Sequence, residues 1–215
     1  AESSLAAEID KFKPEGLDIA YLASRGIIKL RFDRNSVSNI DFDIFINKID
    51  EIFSDDILAY ENISVEKALG SLVAKNDIKV SFVESITGGL LSSLLVKNPG
   101  ISKYFIGSDV VYGNQAKSIL LNDNDIDFEN WEELCVNLTH SSLEKYKTDI
   151  CLTILGEAGP LSSSKYSVGT IFICISNGDK TVITDHKMNG NREEILQRSA
   201  NKAQWELIKF IKNLY

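Results

Sequence analysis

The chain contains 215 residues and has a formal net charge of −8, from 23 basic and 31 acidic side chains. Hydrophobic residues make up 44% and charged residues 25%, which is close to the globular average and excludes extensive disorder. The acidic balance disfavours non-specific nucleic-acid binding, because phosphate affinity requires clustered lysine and arginine. No apolar run is long enough to span a bilayer and no secretion leader is recognisable, so we expect a cytoplasmic protein without a membrane partner.

Residues 1–62 are predicted to form a small α+β unit. The pattern indicates a short helix at 3–12, strands at 17–23 and 27–32 around a tight turn, and a helix marked by apolar residues at helical spacing: Phe42, Phe45, Ile46, Ile49, Ile52 and Phe53. The unit carries 13 acidic and 7 basic side chains, a net charge of −6. RNA binding by this unit is therefore disfavoured, because such a module needs a basic face.

Residues 63–215 are predicted to form a larger α/β domain in which helices and strands alternate. The pattern predicts a helix from Ser64, a strand at 78–82, a helix at 88–96, a strand at 109–112, helices at 114–121 and 129–146, a strand at 150–155, a hairpin at 168–176 and 181–186, and a closing helix at 192–211. This alternation predicts a layered α/β fold with a mixed central β-sheet and flanking helices.

The cysteines and histidines give no sign of a metal site. Cys135, Cys151 and Cys174 lie in apolar segments without a CxxC spacing, which predicts buried thiols in a reducing compartment. His140 and His186 lie far apart and lack metal-ligand spacing. The sequence also contains neither a GxGxxG nor a GK[ST] nucleotide-binding loop. We therefore expect no metal ion and no cofactor.

The first candidate site is the stretch Glu84-Ser85-Ile86-Thr87-Gly88-Gly89, between a predicted strand and a predicted helix. Two glycines let the backbone turn tightly, and the first N–H groups of a helix favour an anion or a developing oxyanion. Ser85 beside such donors is a candidate nucleophile. An ordinary N-cap followed by a glycine turn explains the same residues, because short motifs often match by chance.

The second candidate site is the stretch Tyr112-Gly113-Asn114-Gln115-Ala116-Lys117. Asn114 is a natural N-cap, which places Lys117 near the third helical position. The helix dipole and partial burial both lower the pKa of a lysine there. An uncharged lysine is a competent general base for a serine. The commoner alternative is a lysine that simply points into water.

Two further stretches carry candidate ligand contacts. In Gly190-Asn191-Arg192-Glu193-Glu194 an arginine stands in a first helical turn, where a bound carboxylate or phosphate could recruit it. Pairing of Arg192 with Glu194 or with a nearby acid is equally compatible with the spacing. The stretch Gly156-Glu157-Ala158-Gly159-Pro160 follows a central strand, where small residues leave room for a ligand or simply form a turn.

Together these stretches resemble one family, the C-terminal domain of CinA, the competence/damage-inducible protein A. The resemblance spans about residues 64–215 and rests on pieces in matching order and spacing: Glu84-Ser85-x-Thr87-Gly88-Gly89, Asn98-Pro99-Gly100-Ile101-Ser102, Val110-Val111-Tyr112-x-Asn114-x-Ala116-Lys117, Gly156-x-Ala158-Gly159-Pro160, Val168-Gly169-Thr170 and Gly190-x-Arg192-Glu193-Glu194-Ile195. Residues 17–32 look like the small KH-like module that precedes this domain in CinA.

The resemblance implies a nicotinamide-nucleotide amidohydrolase, which converts nicotinamide mononucleotide and water to nicotinate mononucleotide and ammonia without a metal ion. It implies that Ser85 is the nucleophile and Lys117 its base. Substrate contacts are implied for Thr87, Gly88, Gly89, Tyr112, Asn114, Gly156 and Arg192, the first three as an oxyanion or phosphate cradle. A homodimer is expected, with a pyridine nucleotide as its small-molecule partner.

Several positions depart from the pattern of that family. Ile86 stands where the family usually has cysteine, and the run Leu155-Gly156-Glu157-Ala158-Gly159-Pro160 stands where it has Thr-Gly-Ile-Ala-Gly-Pro. The following loop, Leu161-Ser162-Ser163-Ser164, lacks the glycines of the family. A catalytically degenerate domain that binds a nucleotide or acts as a scaffold is therefore the alternative to an active enzyme. A nucleic-acid accessory role is disfavoured, because residues 1–62 contain no Gly-x-x-Gly loop.

Overall fold

The computed structural model describes residues 2–34, 37–162 and 164–214. The chain forms two compact units, Ala1–Asn62 and Ile63–Tyr215. Ser163, part of the serine-rich loop noted above, lies outside the described residues. Within the described ranges, no helix combines the length and the apolar character that crossing a bilayer requires.

The first unit has the order helix, strand, strand, helix. Helix α1 (Glu2–Ile9) precedes an antiparallel hairpin of β1 (Asp18–Ser24) and β2 (Ile27–Asp33). Helix α2 (Asn39–Phe53) follows, and a short 3₁₀ turn at Ser54–Asp56 ends the regular structure. All four predicted elements are therefore present, although α1 ends three residues earlier than its pattern suggested.

The apolar stripe of α2 forms the core of the first unit. Phe45 and Ile49 are buried and cluster with Ile9 and Leu17. The ring of Phe32, on the hairpin, meets that of Phe45 edge-on with 5.4 Å between centroids. The hydrophobic spacing in the sequence thus identified the buried face of this helix, because residues three and four apart share one side.

In its described residues, the second unit contains five strands and five helices, with one further 3₁₀ turn at Ile101–Lys103. In chain order they are α3 (Val65–Lys75), β3 (Val80–Glu84), α4 (Leu90–Leu95), β4 (Phe105–Val110), α5 (Asn114–Leu121), α6 (Trp131–Tyr146), β5 (Ile150–Gly156), β6 (Thr170–Ser176), β7 (Thr181–Lys187) and α7 (Arg192–Lys212). Their order matches the predicted alternation of helices and strands.

The five strands form one mixed sheet in the order β4-β3-β5-β6-β7. Strand β3 pairs in parallel with both β4 and β5, whereas β5, β6 and β7 are antiparallel neighbours. Glu84, the last residue of β3, stands opposite Val110 and Ile154. The carboxyl ends of the three parallel strands therefore lie side by side at one edge of the sheet.

Both faces of the sheet centre are covered. Val83, Cys151 and Leu155 belong to a buried cluster with residues of α6. Phe82 and Leu152, which alternate with them and so point to the opposite face, are equally buried. A sheet buried on both faces needs helices on both sides, which is the layered arrangement that the sequence predicted. The predicted α/β fold class with a mixed sheet is confirmed.

One strand was placed wrongly by sequence reasoning. The sequence pattern predicted a strand at 109–112, but β4 covers Phe105–Val110 and Tyr112 lies beyond its end. Gly107 weakens the strand pattern at its centre, yet it is required there, because a Cβ would lie 2.9 Å from the ring of Tyr146 on α6. The glycine thus reflects close packing by a distant residue, which the local pattern does not contain.

Candidate active site

The segments that follow β3, β4 and β5 meet at one edge of the sheet, because these parallel strands end together. A cavity of about 250 Å³ opens there. Its lining comes from four segments of the second unit and consists of Ser85, Tyr112, Asn114, Lys117, Phe128, Glu129, Trp131, Leu134, Leu155, Gly156, Glu157 and Ser164. Five of the nine predicted site residues share this cavity, and the other four (Thr87, Gly88, Gly89 and Arg192) are not part of its lining.

A second groove, of about 380 Å³ and more open, lies on the first unit. It is lined by Phe12, Ile44, Phe45, Asn47, Lys48 and Glu51. This lining offers no serine, threonine or cysteine as a nucleophile, and the Lys48 ammonium is paired with Glu51 at 2.7 Å. The cavity that contains Ser85 is therefore the candidate active site.

Ser85 directly follows β3 and is only 8% exposed. Its N–H donates to the carbonyl of Ile154 at 3.0 Å, which extends the pairing of β3 with β5 by one residue. Its carbonyl accepts the N–H of Gly88 at 3.1 Å. Gly88 and Gly89 have φ values of 57° and 98°, a left-handed conformation that side chains disfavour. The two glycines thus turn the chain sharply behind Ser85.

The carboxylate of Glu84, which is fully buried, holds this turn from within. Its Oε2 accepts the hydroxyl of Thr87 at 2.7 Å and the N–H of Gly89 at 3.1 Å. Oε2 also accepts the N–H of Leu91 at 2.9 Å, and Oε1 accepts the N–H of Ser92 at 2.9 Å. A buried carboxylate is tolerated when hydrogen bonds satisfy its oxygens in this way.

Glu84 therefore takes donors that sequence reasoning assigned to a bound anion. The Thr87 hydroxyl and the Gly89 N–H donate to Glu84, and the Gly88 N–H donates to Ser85, so these groups are engaged inside the protein. In the described part of the chain, the N–H groups of Ile86 and Thr87 donate no hydrogen bond. The sequence signal for Glu84 was an acidic residue that ends a buried strand just before the glycine pair, and it was given no role.

Lys117 is buried on α5, with 7% exposure, and burial lowers its pKa from the ordinary 10.5. Its Nζ donates to Oδ1 of Asn114 at 3.2 Å. Asn114 was predicted to be the N-cap of α5, but it is the first residue of the helix. The N-cap is Gly113, which has no capping side chain. Because α5 begins at Asn114, Lys117 stands one position later in the helix than predicted. The Asn114 side chain contacts the lysine instead of capping the helix start.

Arg192 contacts the exposed side of this region without lining the cavity. Its Nη2 donates to the hydroxyl of Tyr112 at 2.6 Å, and its Nη1 donates to the carbonyl of Gly159. Pairing with Glu194, the alternative considered above, is not found, because Glu194 closes a capping box with Asn191 at the start of α7. Arg192 therefore links two loops at the carboxyl edge of the sheet.

Gly156, at the end of β5, is required by packing. A Cβ there would lie 2.7 Å from Cδ1 of Ile86 and 2.8 Å from Cγ2 of Ile171. The space that a small residue leaves at this strand end is thus partly filled by Ile86. Leu155 and Glu157, on either side, also line the cavity, so both departures from the family pattern face the candidate site.

The start of α6 supplies a side of the cavity that sequence reasoning missed. Phe128, Glu129, Trp131 and Leu134 all line it. Trp131 is buried, and its ring lies 4.3 Å from that of Tyr166 between centroids. The sequence offered only a helix start with an aromatic residue, which is equally typical of an ordinary core position. The tertiary fold brings this helix start to the ends of the parallel strands.

Fold and site together define the class of this protein: an α/β protein in which a sheet edge brings a buried serine and a buried lysine into one cavity. A family model of the CinA C-terminal domain matches residues 62–211. The chain therefore belongs to the CinA C-terminal domain family, in agreement with its motifs.

Two relatives illustrate how much of the chain is shared. A CinA-like protein of Flavobacterium psychrophilum is 28% identical over 228 residues, which cover 100% of this chain and 54% of that protein. A CinA-like protein of Petrotoga mobilis is 30% identical over 193 residues, covering 87% of this chain and 46% of that protein. The chain thus spans about half the length of the curated relatives it matches.

Solved structures share the fold. A CinA superfamily protein from Klebsiella pneumoniae superposes with a TM-score of 0.66 at 17% identity, covering 69% of this chain and 96% of its own. A CinA superfamily protein from Enterobacter cloacae gives a TM-score of 0.64 at 20% identity, covering 73% of this chain and 98% of its own. At these identities the likeness establishes the architecture alone.

Proposed function

We propose that this chain hydrolyses the carboxamide of a pyridine nucleotide, with nicotinamide mononucleotide as the first candidate substrate. The observation that carries the proposal is that Ser85 and Lys117, far apart in sequence, line one cavity and are each more than nine-tenths buried. Burial lowers the pKa of Lys117, so the uncharged amine is available closer to neutral pH than in a solvated lysine. A serine and an uncharged amine that share one buried cavity can serve as nucleophile and general base in amide hydrolysis.

In the proposed mechanism, Lys117 Nζ accepts the hydroxyl proton of Ser85 while Oγ bonds to the carboxamide carbon. The C–N bond of the tetrahedral intermediate then breaks, and the Lys117 ammonium returns the proton to the departing NH₂ group, which leaves as ammonia. Water attacks the resulting acyl-serine and gives a proton to Lys117. The ester bond breaks, Ser85 Oγ regains its proton from Lys117, and the carboxylic acid is released.

The remaining predicted residues have supporting roles in this proposal. Ile86 and Thr87 directly follow the proposed nucleophile, and their N–H groups donate no other hydrogen bond among the described residues. We assign these two N–H groups to stabilise the developing oxyanion. Asn114 accepts a hydrogen bond from the base and so orients it. Tyr112 and Arg192, joined at the exposed side, are the candidate contacts for an anionic part of the substrate.

A second candidate function is a degenerate domain that binds a nucleotide without turnover. Leu155 and Glu157 support it, because they give the cavity an apolar side chain and a carboxylate where the family pattern has a hydroxyl and an aliphatic residue. Neither change removes Ser85 or Lys117. The presence of both Ser85 and Lys117 therefore favours an active enzyme over a degenerate domain.

We also propose that residues 1–62 form the KH-like module that the sequence resembles, preceding an amidohydrolase domain at 63–215. The hairpin flanked by two helices supports a small α+β module. Its net charge of −6 argues against nucleic acid as a partner. A cytoplasmic homodimer stays part of the proposal.

The proposal is tested by ammonia release from nicotinamide mononucleotide, measured with the purified chain and with Ser85→Ala. Loss of a nucleophile lowers the rate by about 10³-fold or more, so we expect no detectable release from the variant. Ser93→Ala, an exposed serine on α4, is the matched control and should retain full activity. Nucleotide binding without release from the unsubstituted chain would establish the degenerate domain instead.

A further inference from the structure

The cavity carries two carboxylates besides the catalytic pair. Glu157, directly after β5, is 8% exposed, and its Oε2 accepts the hydroxyl of Ser164 at 3.3 Å. Glu129, at the start of α6, is more exposed, and its Oε2 accepts the N–H of Lys165 at 3.2 Å. Both side chains belong to the lining that also contains Ser85. Any ligand that reaches the nucleophile therefore lies in the field of at least one buried carboxylate.

Positive charge is scarce in the same space. Lys117 is the single basic residue among the lining side chains that the structure describes, and burial lowers its pKa from the ordinary 10.5. Arg192 is exposed and lies outside the lining, bound to Tyr112 and Gly159. A phosphate inside the cavity would meet the carboxylates of Glu129 and Glu157, whereas near Arg192 it would meet a guanidinium.

The apolar part of the lining is partly aromatic. Trp131 and Phe128 line the cavity beside Glu129 and Glu157. Aromatic rings attract a cation through the negative potential of their faces, and carboxylates attract it by charge. A flat ring that bears a positive charge is attracted both by the aromatic faces and by the carboxylates. A neutral ring can pack against the aromatic side chains but is not attracted by the carboxylates.

We propose that Glu157 makes this cavity select carboxamides on a positively charged, N-substituted pyridinium ring over the same amide on a neutral ring. Any phosphate of the substrate then lies outside the cavity, on the side of Arg192. The inference rests on the proposed function for its substrate class, but the charge preference is a property of binding. It is therefore measurable whether or not the bound amide is hydrolysed.

The test compares two small amides that differ in ring charge, 1-methylnicotinamide and nicotinamide. Calorimetric titration of the full chain carrying Ser85→Ala, which prevents turnover, measures the affinity for each. A buried carboxylate that faces a cation is worth about tenfold or more in affinity, so we expect the methylated cation to bind at least that much more tightly. Equal affinities would overturn the inference.

Glu157→Gln in the same background identifies the residue responsible. We expect it to abolish the preference for the cation and to leave the affinity for nicotinamide within about twofold, because the amide keeps the size and the hydrogen-bonding capacity of the carboxylate. Glu132→Gln, an exposed position on α6, is the matched control and should keep the preference. A preference that survives Glu157→Gln would transfer the role to another group and contradict the proposal.

Ammonia release and the binding preference are measured independently, so the proposed function and the charge selection can fail independently. If the chain binds the two rings with different affinity but releases no ammonia, the charge selection is supported and the hydrolase activity is contradicted. If the chain releases ammonia but binds both rings with equal affinity, the hydrolase activity is supported and the charge selection is contradicted. If Glu157→Gln does not fold, the comparison of the two amides in the Ser85→Ala chain still decides the inference, and raised salt should weaken only the binding of the cation.

Discussion

Two loops border the cavity and use an acidic residue in different ways. In the Ser85 loop (residues 84–92), Glu84 is turned inward, and backbone and hydroxyl donors surround its oxygens. In the β5 loop (residues 155–166), Glu157 belongs to the cavity lining, where a ligand can meet its charge. The same chemical group thus builds one loop and gives the other its electrostatic character. Glu84 is fully enclosed by its own loop, whereas Glu157 accepts the Ser164 hydroxyl of its loop and also lines the cavity.

The largest expected effect concerns Lys117, the proposed general base for Ser85. Lys117→Met should lower ammonia release by about 10²- to 10⁴-fold, because general-base assistance is lost. Lys117→Arg should be equally inactive, since a guanidinium does not lose its proton at usable pH. Lys103→Met, an exposed position, is the control. An active Lys117→Met variant would remove the lysine from the mechanism.

Lys117 also predicts a pH dependence of stability. Its pKa is lowered from 10.5 in the folded state, so the unfolded chain binds more protons between the lowered value and 10.5. The free energy of unfolding should therefore rise with pH across that window and fall as pH decreases through it. Lys117→Met should lack this contribution in urea titrations at several pH values. Identical pH profiles for both proteins would contradict the lowered pKa.

The next effect tests the inward carboxylate. Glu84→Gln places an NH₂ group where several donors point, so we expect the free energy of unfolding to drop by about 2–4 kcal/mol in urea denaturation. Activity should drop as well, because the turn behind Ser85 loosens. Glu144→Gln, exposed on α6, is the matched control. An unchanged stability would show that the glycine turn holds without the carboxylate.

The smallest effect concerns the contact between the two loops. Gly156→Ala places a Cβ 2.7 Å from Cδ1 of Ile86 and 2.8 Å from Cγ2 of Ile171, and overpacking of this kind costs about 1–3 kcal/mol. Combining it with Ile86→Val, which removes Cδ1, should recover part of that loss in thermal unfolding. No recovery in the double variant would assign the strain to Ile171 and the backbone alone.

Much of this site was predictable as separate pieces. Ser85 followed from the strand, turn and helix pattern with its glycine pair, and Lys117 from a short helix that starts near Asn114. The sequence did not indicate that Asn114 would turn to the lysine, because either arrangement satisfies the same residues locally. It also gave Trp131 no role, since an aromatic residue at a helix start is typical of an ordinary core. These assignments depend on neighbours that are distant in sequence.

The sequence by itself determined the alternation of helices and strands, the buried face of α2 and the glycine turn after Ser85, because these follow from local spacing and backbone freedom. The tertiary structure decided which side chains share the cavity, which backbone and hydroxyl donors Glu84 accepts, and that Glu157 and Ser85 line the same cavity. The physical reason is that strand order and register set contacts between distant residues. Local patterns act over a few residues and cannot encode them.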